Sequence, residues 1–172
     1  TCAYYVAEKN IADIVLVDVV EGLPQAKGLD FCQAAPLRQY GVKVTGTNRY
    51  AEIAGSDVVV ITAGVPRKPG MSRSDVLDTN LAVLYGLVDE AKKLAPKAML
   101  LIVSIPVDVL TYAAWKRSGF ERSHVFGMAG VLDSARMASF VAMETGFSVK
   151  DVSAMVLGGH GDTMVPMTRF AT

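Results

Sequence analysis

The chain has 172 residues, 51% of them hydrophobic and 20% charged, a composition that makes a cored globular protein and excludes a disordered or fibrous one. Lys and Arg number 17 and Asp and Glu 17, so the absence of net charge excludes bulk attraction to nucleic acid or to an anionic membrane surface. Cys2 and Cys32, without metal-type pairing, exclude a disulfide framework, predict no metal centre and suit a reducing, cytoplasmic compartment; no apolar run is long enough to span a bilayer.

Thr1 to Lys9 reads as the inside of a helix, with no initiator Met and no signal-like segment, and the chain stops at Thr172 directly after an apolar stretch. The expectation is part of a longer protein. Asp13-Ile14-Val15-Leu16-Val17-Asp18 is a β-branched run ending in an acid, the pattern of a buried parallel strand. In a dinucleotide-binding βαβ unit such an acid accepts hydrogen bonds from the adenosine ribose, about 20 residues beyond the Gly-rich turn. That turn would fall upstream of Thr1, and Asp18 alone reads equally well as a capping acid. A helix is predicted from roughly Gly22 to Gln39, with Leu23, Ala26, Leu29, Phe31 and Ala34 as its apolar residues. A short strand over 42–47, a helical piece over 50–54 and a buried strand over 57–64 follow. Strand and helix alternate, which predicts a doubly wound parallel sheet with ligands at the carboxyl ends of its strands.

The loop Val65-Pro66-Arg67-Lys68-Pro69-Gly70-Met71-Ser72-Arg73 has the composition of a hinged lid. Ser72 and Asp75 form a capping box, which puts Arg73 in the first turn of the next helix, where a cation opposes the helix dipole unless an anion offsets it. A solvated basic loop is the plain alternative. The helix runs to about Leu94 and holds Asn80 in its interior, where an outside partner is expected. A buried strand over 98–106 ends at Pro106, Val107 to Gly119 is helical with Trp115 in the core, and His124 opens a short strand in a surface role.

The helix beginning at Gly130 carries Asp133 and Arg136, three apart and so on one face. A surface ion pair is the default, but the neighbours are apolar, and burying both charges is costly unless each finds a partner. Val152 to Leu157 reads as a buried strand delivering His160 into Gly158-Gly159-His160-Gly161-Asp162. Alone, His160 is a surface histidine. With Asp133 to fix one tautomer, Arg136 and Arg67 as carboxylate forks and Arg73 to sit over a polarised carbonyl, the set describes reversible hydride transfer between a 2-oxo and a 2-hydroxy dicarboxylic acid.

The motifs Val-Asp-Val-Val-Glu-Gly (17–22), Ala-Gly-Val-Pro-Arg-Lys-Pro-Gly-Met-Ser-Arg (63–73), Gly-Val-Leu-Asp-Ser-Ala-Arg (130–136) and Gly-Gly-His-Gly-Asp (158–162) together resemble the lactate/malate dehydrogenase superfamily, in its group of lactate-dehydrogenase-like malate dehydrogenases. The resemblance covers the whole length. It implies a Rossmann-type doubly wound parallel sheet lacking its first strand over 1–104, followed by the start of an α+β substrate domain over 105–172. By the same resemblance His160 exchanges the proton, Asp133 orients it, Arg136 grips the carboxylate beside the reacting carbon and Arg73 polarises the carbonyl. Arg67 selects a second carboxylate, where lactate dehydrogenases commonly carry Gln. Asp18 holds the NAD ribose, and Asn80, Val103, Ser104 and Ile105 lie on the nicotinamide side. Ile105 stands where the family usually has a substrate-binding Asn. The implied activity is NAD-dependent interconversion of malate and oxaloacetate, a tricarboxylic acid cycle reaction, in a homo-oligomer (dimer or tetramer). The alternatives are a lactate or other 2-hydroxyacid dehydrogenase, or a non-catalytic fragment of the fold.

Overall fold

Apolar, largely β-branched runs alternate with helices along the chain, and the short strands they form pair in parallel except for the last two, which pair antiparallel. The computed structural model describes the backbone of residues 1–66 and 73–172 and the side chains of 1–66 and 76–172. It divides into two units, Thr1–Ser56 and Asp57–Thr172.

The first unit runs α1 (Cys2–Glu8), β1 (Ile14–Val17), α2 (Leu23–Arg38), β2 (Val44–Thr47) and a 3-10 turn at Tyr50–Ile53. Strands β1 and β2 are parallel neighbours, Ile14 facing Val44 and Val17 facing Thr47. Helix α2 forms the crossover that parallel pairing requires. Its length matches the expectation, but its buried face does not. Leu23 and Leu29 are exposed, and the buried positions are Pro24, Gly28 and Phe31, spaced four and three apart. The reason is the closeness of α2 to β2: a Cβ on Gly46 would lie 1.7 Å from the Pro24 carbonyl oxygen, and one on Gly28 2.9 Å from the Gly46 nitrogen. Only small residues allow that approach. Phe31, Tyr40, Val44 and Ala7 form the small core, with the Tyr40 hydroxyl donating to the Phe31 carbonyl at 2.6 Å.

The second unit runs β3 (Val58–Ile61), α3 (Arg73–Leu94), β4 (Met99–Ile102), α4 (Val107–Ser118), β5 (Val125–Gly127), α5 (Gly130–Thr145), β6 (Val156–Gly158) and β7 (Met164–Pro166). Strands β3, β4 and β5 form a parallel sheet in that order, and β6 and β7 an antiparallel pair. Leu84 and Val88 of α3, Leu100 and Ile102 of β4 and Leu110 of α4 are at most 2% exposed and make the core between sheet and helices. Trp115 packs against this core, as expected. Gly119 and Gly146, both at positive φ, end α4 and α5.

The buried strand expected over 152–157 is much shorter. Residues 149–151 form a 3-10 turn, β6 starts only at Val156, and Met155 and Leu157 are about half exposed while Val156 is buried. An antiparallel partner with one open face explains the alternation, where a parallel strand covered on both faces would read as a continuous apolar run. Among the described residues no helix is long and apolar enough to cross a membrane.

Candidate active site

Helix α5 places Asp133 in its first turn, where the helix dipole favours a carboxylate. The start of this helix is tied to β6: the Val156 amide donates to the Ser134 hydroxyl at 3.0 Å. The chain leaving β6 must then turn sharply. Gly158 has φ +91°, and a Cβ there would lie 2.4 Å from the Thr163 carbonyl oxygen; on Gly159 it would lie 2.5 Å from the Thr163 hydroxyl. The glycines thus let the turn close, and closing it carries His160 back toward α5.

His160 Nδ1 lies 2.7 Å from Asp133 Oδ2. The Asp133 side chain is only 5% exposed and the imidazole 22%. A carboxylate is acceptor-only, so Nδ1 carries the proton of this bond, and in the neutral ring Nε2 then keeps its lone pair. Among the described residues Nε2 has no hydrogen-bond partner. A buried carboxylate without such a donor would be strongly destabilising, which makes the pair one unit. The expected pairing of Asp133 with His160 is thus present as a contact.

Arg136 Nη1 lies 3.4 Å from Asp133 Oδ1, a long contact. The expectation that acid and arginine are both set in apolar surroundings holds for Asp133 alone, because the Arg136 side chain is 58% exposed. The reason lies in the helix face: α5 turns Asp133 toward β6 and leaves Arg136 at the rim. Its guanidinium keeps most of its N–H donors free of protein partners among the described residues.

Asn80, expected to have a partner outside its helix, has two. It is 4% exposed; its Oδ1 accepts from the Val65 amide at 2.7 Å and its Nδ2 donates to the Ile105 carbonyl at 2.9 Å. The side chain therefore joins the segments that leave β3 and β4. Ser104 does similar work, its hydroxyl donating to the Ala63 carbonyl at 2.5 Å, while the Val103 amide donates to the Ile61 carbonyl at 2.9 Å. Ile105 precedes Pro106 through a cis peptide bond and is 66% exposed. Its side chain brings no hydrogen-bonding group to the β4 tip.

In the first unit Asp18 follows β1 directly. Its Oδ1 accepts from the Val20 amide at 2.9 Å, and Oδ2 has no partner among the described residues. A depression lined by Leu16, Val17, Asp18, Leu23, Pro24 and Lys27 adjoins it. Arg67 lies outside the described residues. Arg73 opens α3, and its side chain also lies outside them.

One residue of the site escaped the reading of the sequence. Asp108, in the first turn of α4, accepts the His160 backbone N–H at 2.8 Å across 52 positions of chain. The only local signal is an acid two residues after Pro106, which reads as an ordinary helix-start acid.

Two family models match, lactate/malate dehydrogenase NAD binding domain over residues 1–127 and lactate/malate dehydrogenase alpha/beta C-terminal domain over 130–172. Malate dehydrogenase from Nitrosococcus oceani is 56% identical over all 172 residues, and that from Thioalkalivibrio sulfidiphilus 57%. The chain spans 55% and 56% of those relatives' lengths, about half of each. Among solved structures, apo malate dehydrogenase from Picrophilus torridus superposes with a TM-score of 0.94 at 40% identity, over 99% of this chain and 54% of that one. Lactate dehydrogenase from Cryptosporidium parvum, complexed with lactic acid and nicotinamide adenine dinucleotide, gives 0.92 at 45% identity over the same shares. The fold is the Rossmann-like α/β fold of these enzymes, and the chain belongs to the lactate/malate dehydrogenase family.

Proposed function

We propose that this sequence is the nucleotide-binding part and the beginning of the substrate part of an NAD-dependent malate dehydrogenase. The observation that carries the reading is the 2.7 Å bond between His160 Nδ1 and the buried Asp133 carboxylate, which leaves Nε2 free to take a proton. The names of four relatives, malate dehydrogenases at 49–57% identity, support the choice of substrate. The nucleotide-binding part takes in residues 1–104 and α4, which packs against the sheet of β3, β4 and β5, and the stretch matched by the alpha/beta C-terminal domain, 130–172, is the start of the substrate part.

The residues present fit a nicotinamide dinucleotide. Asp18 offers a carboxylate oxygen free of protein partners among the described residues, beside an apolar depression, which suits a ribose with its adenine. Asn80, Val103, Ser104 and Ile105 shape the nicotinamide side, Asn80 and Ser104 by holding backbone rather than by free polar atoms. NAD+, when bound, supplies the acceptor for the hydride.

The protein's own residues do the rest. Arg136 pairs with the carboxylate beside the reacting carbon, its planar fork matching two carboxylate oxygens. His160 Nε2 removes the hydroxyl proton, and Asp133 stabilises the imidazolium that results. Arg73 polarises the carbonyl oxygen and Arg67 holds the second carboxylate. A working homo-oligomer in the cytoplasm belongs to the same reading, the latter supported by two free cysteines. A lactate-specific enzyme is the second reading, favoured by the likeness to the Cryptosporidium parvum enzyme.

The test is the substrate preference of a full-length protein carrying this sequence. Oxaloacetate should be reduced far faster than pyruvate, and Arg67→Gln should lower oxaloacetate turnover far more than pyruvate turnover. Equal losses on both substrates would reject the assignment of Arg67, and a native preference for pyruvate would reject malate dehydrogenase in favour of the second reading.

A further inference from the structure

His160 has glycine on both sides, Gly159 before it and Gly161 after it, and a Cβ at Gly161 would meet nothing within 4 Å. A turn of this composition is free to adopt many backbone conformations and loses much entropy when fixed in one. Its internal bonds are short-range, Gly161 N–H to the Gly159 carbonyl at 3.0 Å and Met164 N–H to the Gly161 carbonyl at 3.1 Å, and neither ties His160 to the helices. Two bonds do. Asp133 of α5 takes the ring at 2.7 Å, and Asp108 of α4 takes the main-chain N–H at 2.8 Å.

The two contacts have different effects. A bond at Nδ1 alone is a pivot: the imidazole can keep it while the backbone shifts and Nε2 swings. A second anchor on the His160 amide removes that freedom, because ring and main chain are then held from two separate helices. Asp108 is suited to the task, since a carboxylate accepts a stronger hydrogen bond than a neutral oxygen and the start of α4 favours its charge. Asp108 lies directly against the turn, for a Cβ at Gly159 would be in ordinary contact with Asp108 Oδ2 at 3.5 Å.

We propose that Asp108 is a positioning residue that fixes the His160 backbone and so the direction in which Nε2 faces the substrate. The inference rests on the reading of His160 as the proton acceptor. Asp108 is exposed, so its bond contributes little to global stability, and its effect belongs in turnover.

The experiment compares wild type, Asp108→Ala and Asp108→Asn in a full-length protein carrying this sequence, by malate oxidation kinetics, NADH binding and hydrogen exchange at the His160 amide. Asp108→Ala should lower kcat roughly tenfold to hundredfold, the scale of a misplaced catalytic group. NADH affinity should hold within about twofold, and His160 amide exchange should speed up. Asn retains an acceptor oxygen and should restore most of kcat and of the protection. Wild-type kcat in Asp108→Ala overturns the proposal, as does an Asn variant as impaired as the Ala one. Should Asp108→Ala not fold, an unprotected His160 amide in the wild type overturns it equally. If the wild type oxidises no 2-hydroxy acid, the functional reading fails, and the exchange measurement still decides whether Asp108 anchors His160.

Discussion

His160 Nδ1 and Asp133 Oδ2 meet at 2.7 Å although 27 positions of sequence separate them. Helix α5 starts the pair and the glycine turn after β6 completes it. Replacing Asp133 by Asn preserves size but offers the ring an N–H donor, which reverses the tautomer and occupies Nε2 with a proton. Asp133→Asn should therefore lower kcat on the order of a hundredfold or more, with little change in NADH affinity. Steady-state kinetics on a full-length protein carrying this sequence check it, and a loss below tenfold would show that the acid is not needed for tautomer control.

Ile105 offers a second handle. Its carbonyl is held by Asn80 and its side chain is exposed, so an amide could be placed there without disturbing the core. A side-chain hydrogen bond to a polar substrate group contributes about 1–3 kcal/mol where that group is otherwise unpaired. Ile105→Asn should raise kcat/KM for malate roughly tenfold to hundredfold by that measure, and an unchanged value would show that substrate binding does not use this side chain.

The surface pair of Arg117 and Asp89 sets a pH dependence of stability. Arg117 Nε and Nη2 donate to the two Asp89 oxygens at 2.8 and 2.7 Å, and this hydrogen bonding, followed by the favourable charge, holds the Asp89 carboxyl below its usual value of 3.8. A depressed carboxyl stabilises the fold above its unfolded-state pKa and loses that contribution as pH falls through the folded one. Asp89→Asn should lower Tm at pH 7 by more than it does at pH 2.5. Thermal melts at both values check the sign, and an equal deficit at both would exclude a titrating pair.

Leu110 of α4 is fully buried in the core of the second unit. Leu110→Ala should cost about 2–5 kcal/mol, the range for leucine truncation in packed cores. Denaturant unfolding measures it, and a cost under 1 kcal/mol would mean that α4 packs loosely on its sheet.

Much of this molecule was legible in the sequence because its elements have strong local signals. Short apolar or β-branched runs gave the strands near 14–17, 44–47, 58–61 and 99–102, and the helices followed within a residue or two at most ends. Asp133 and His160 were paired through motif chemistry, and the geometry has them in contact. Other features were set by tertiary contacts. Leu23 and Leu29 carry a helical apolar pattern, yet the close approach of Gly28 and Gly46 decides which face of α2 is buried. The stretch from Val152 to Leu157 is apolar enough for a buried strand, but an antiparallel partner leaves one side open. Asp108 has no local mark of its role, since a hydrogen bond spanning 52 positions cannot be read from neighbours.

The central claim is that His160 moves the proton of a 2-hydroxy acid, and it is tested most directly by His160→Asn in a full-length protein carrying this sequence. Malate-dependent formation of NADH, followed at the nicotinamide absorbance band, should fall below about a thousandth of wild type, while NADH still binds with near-native affinity. Turnover retained within tenfold of wild type would contradict the account and remove His160 from the chemistry.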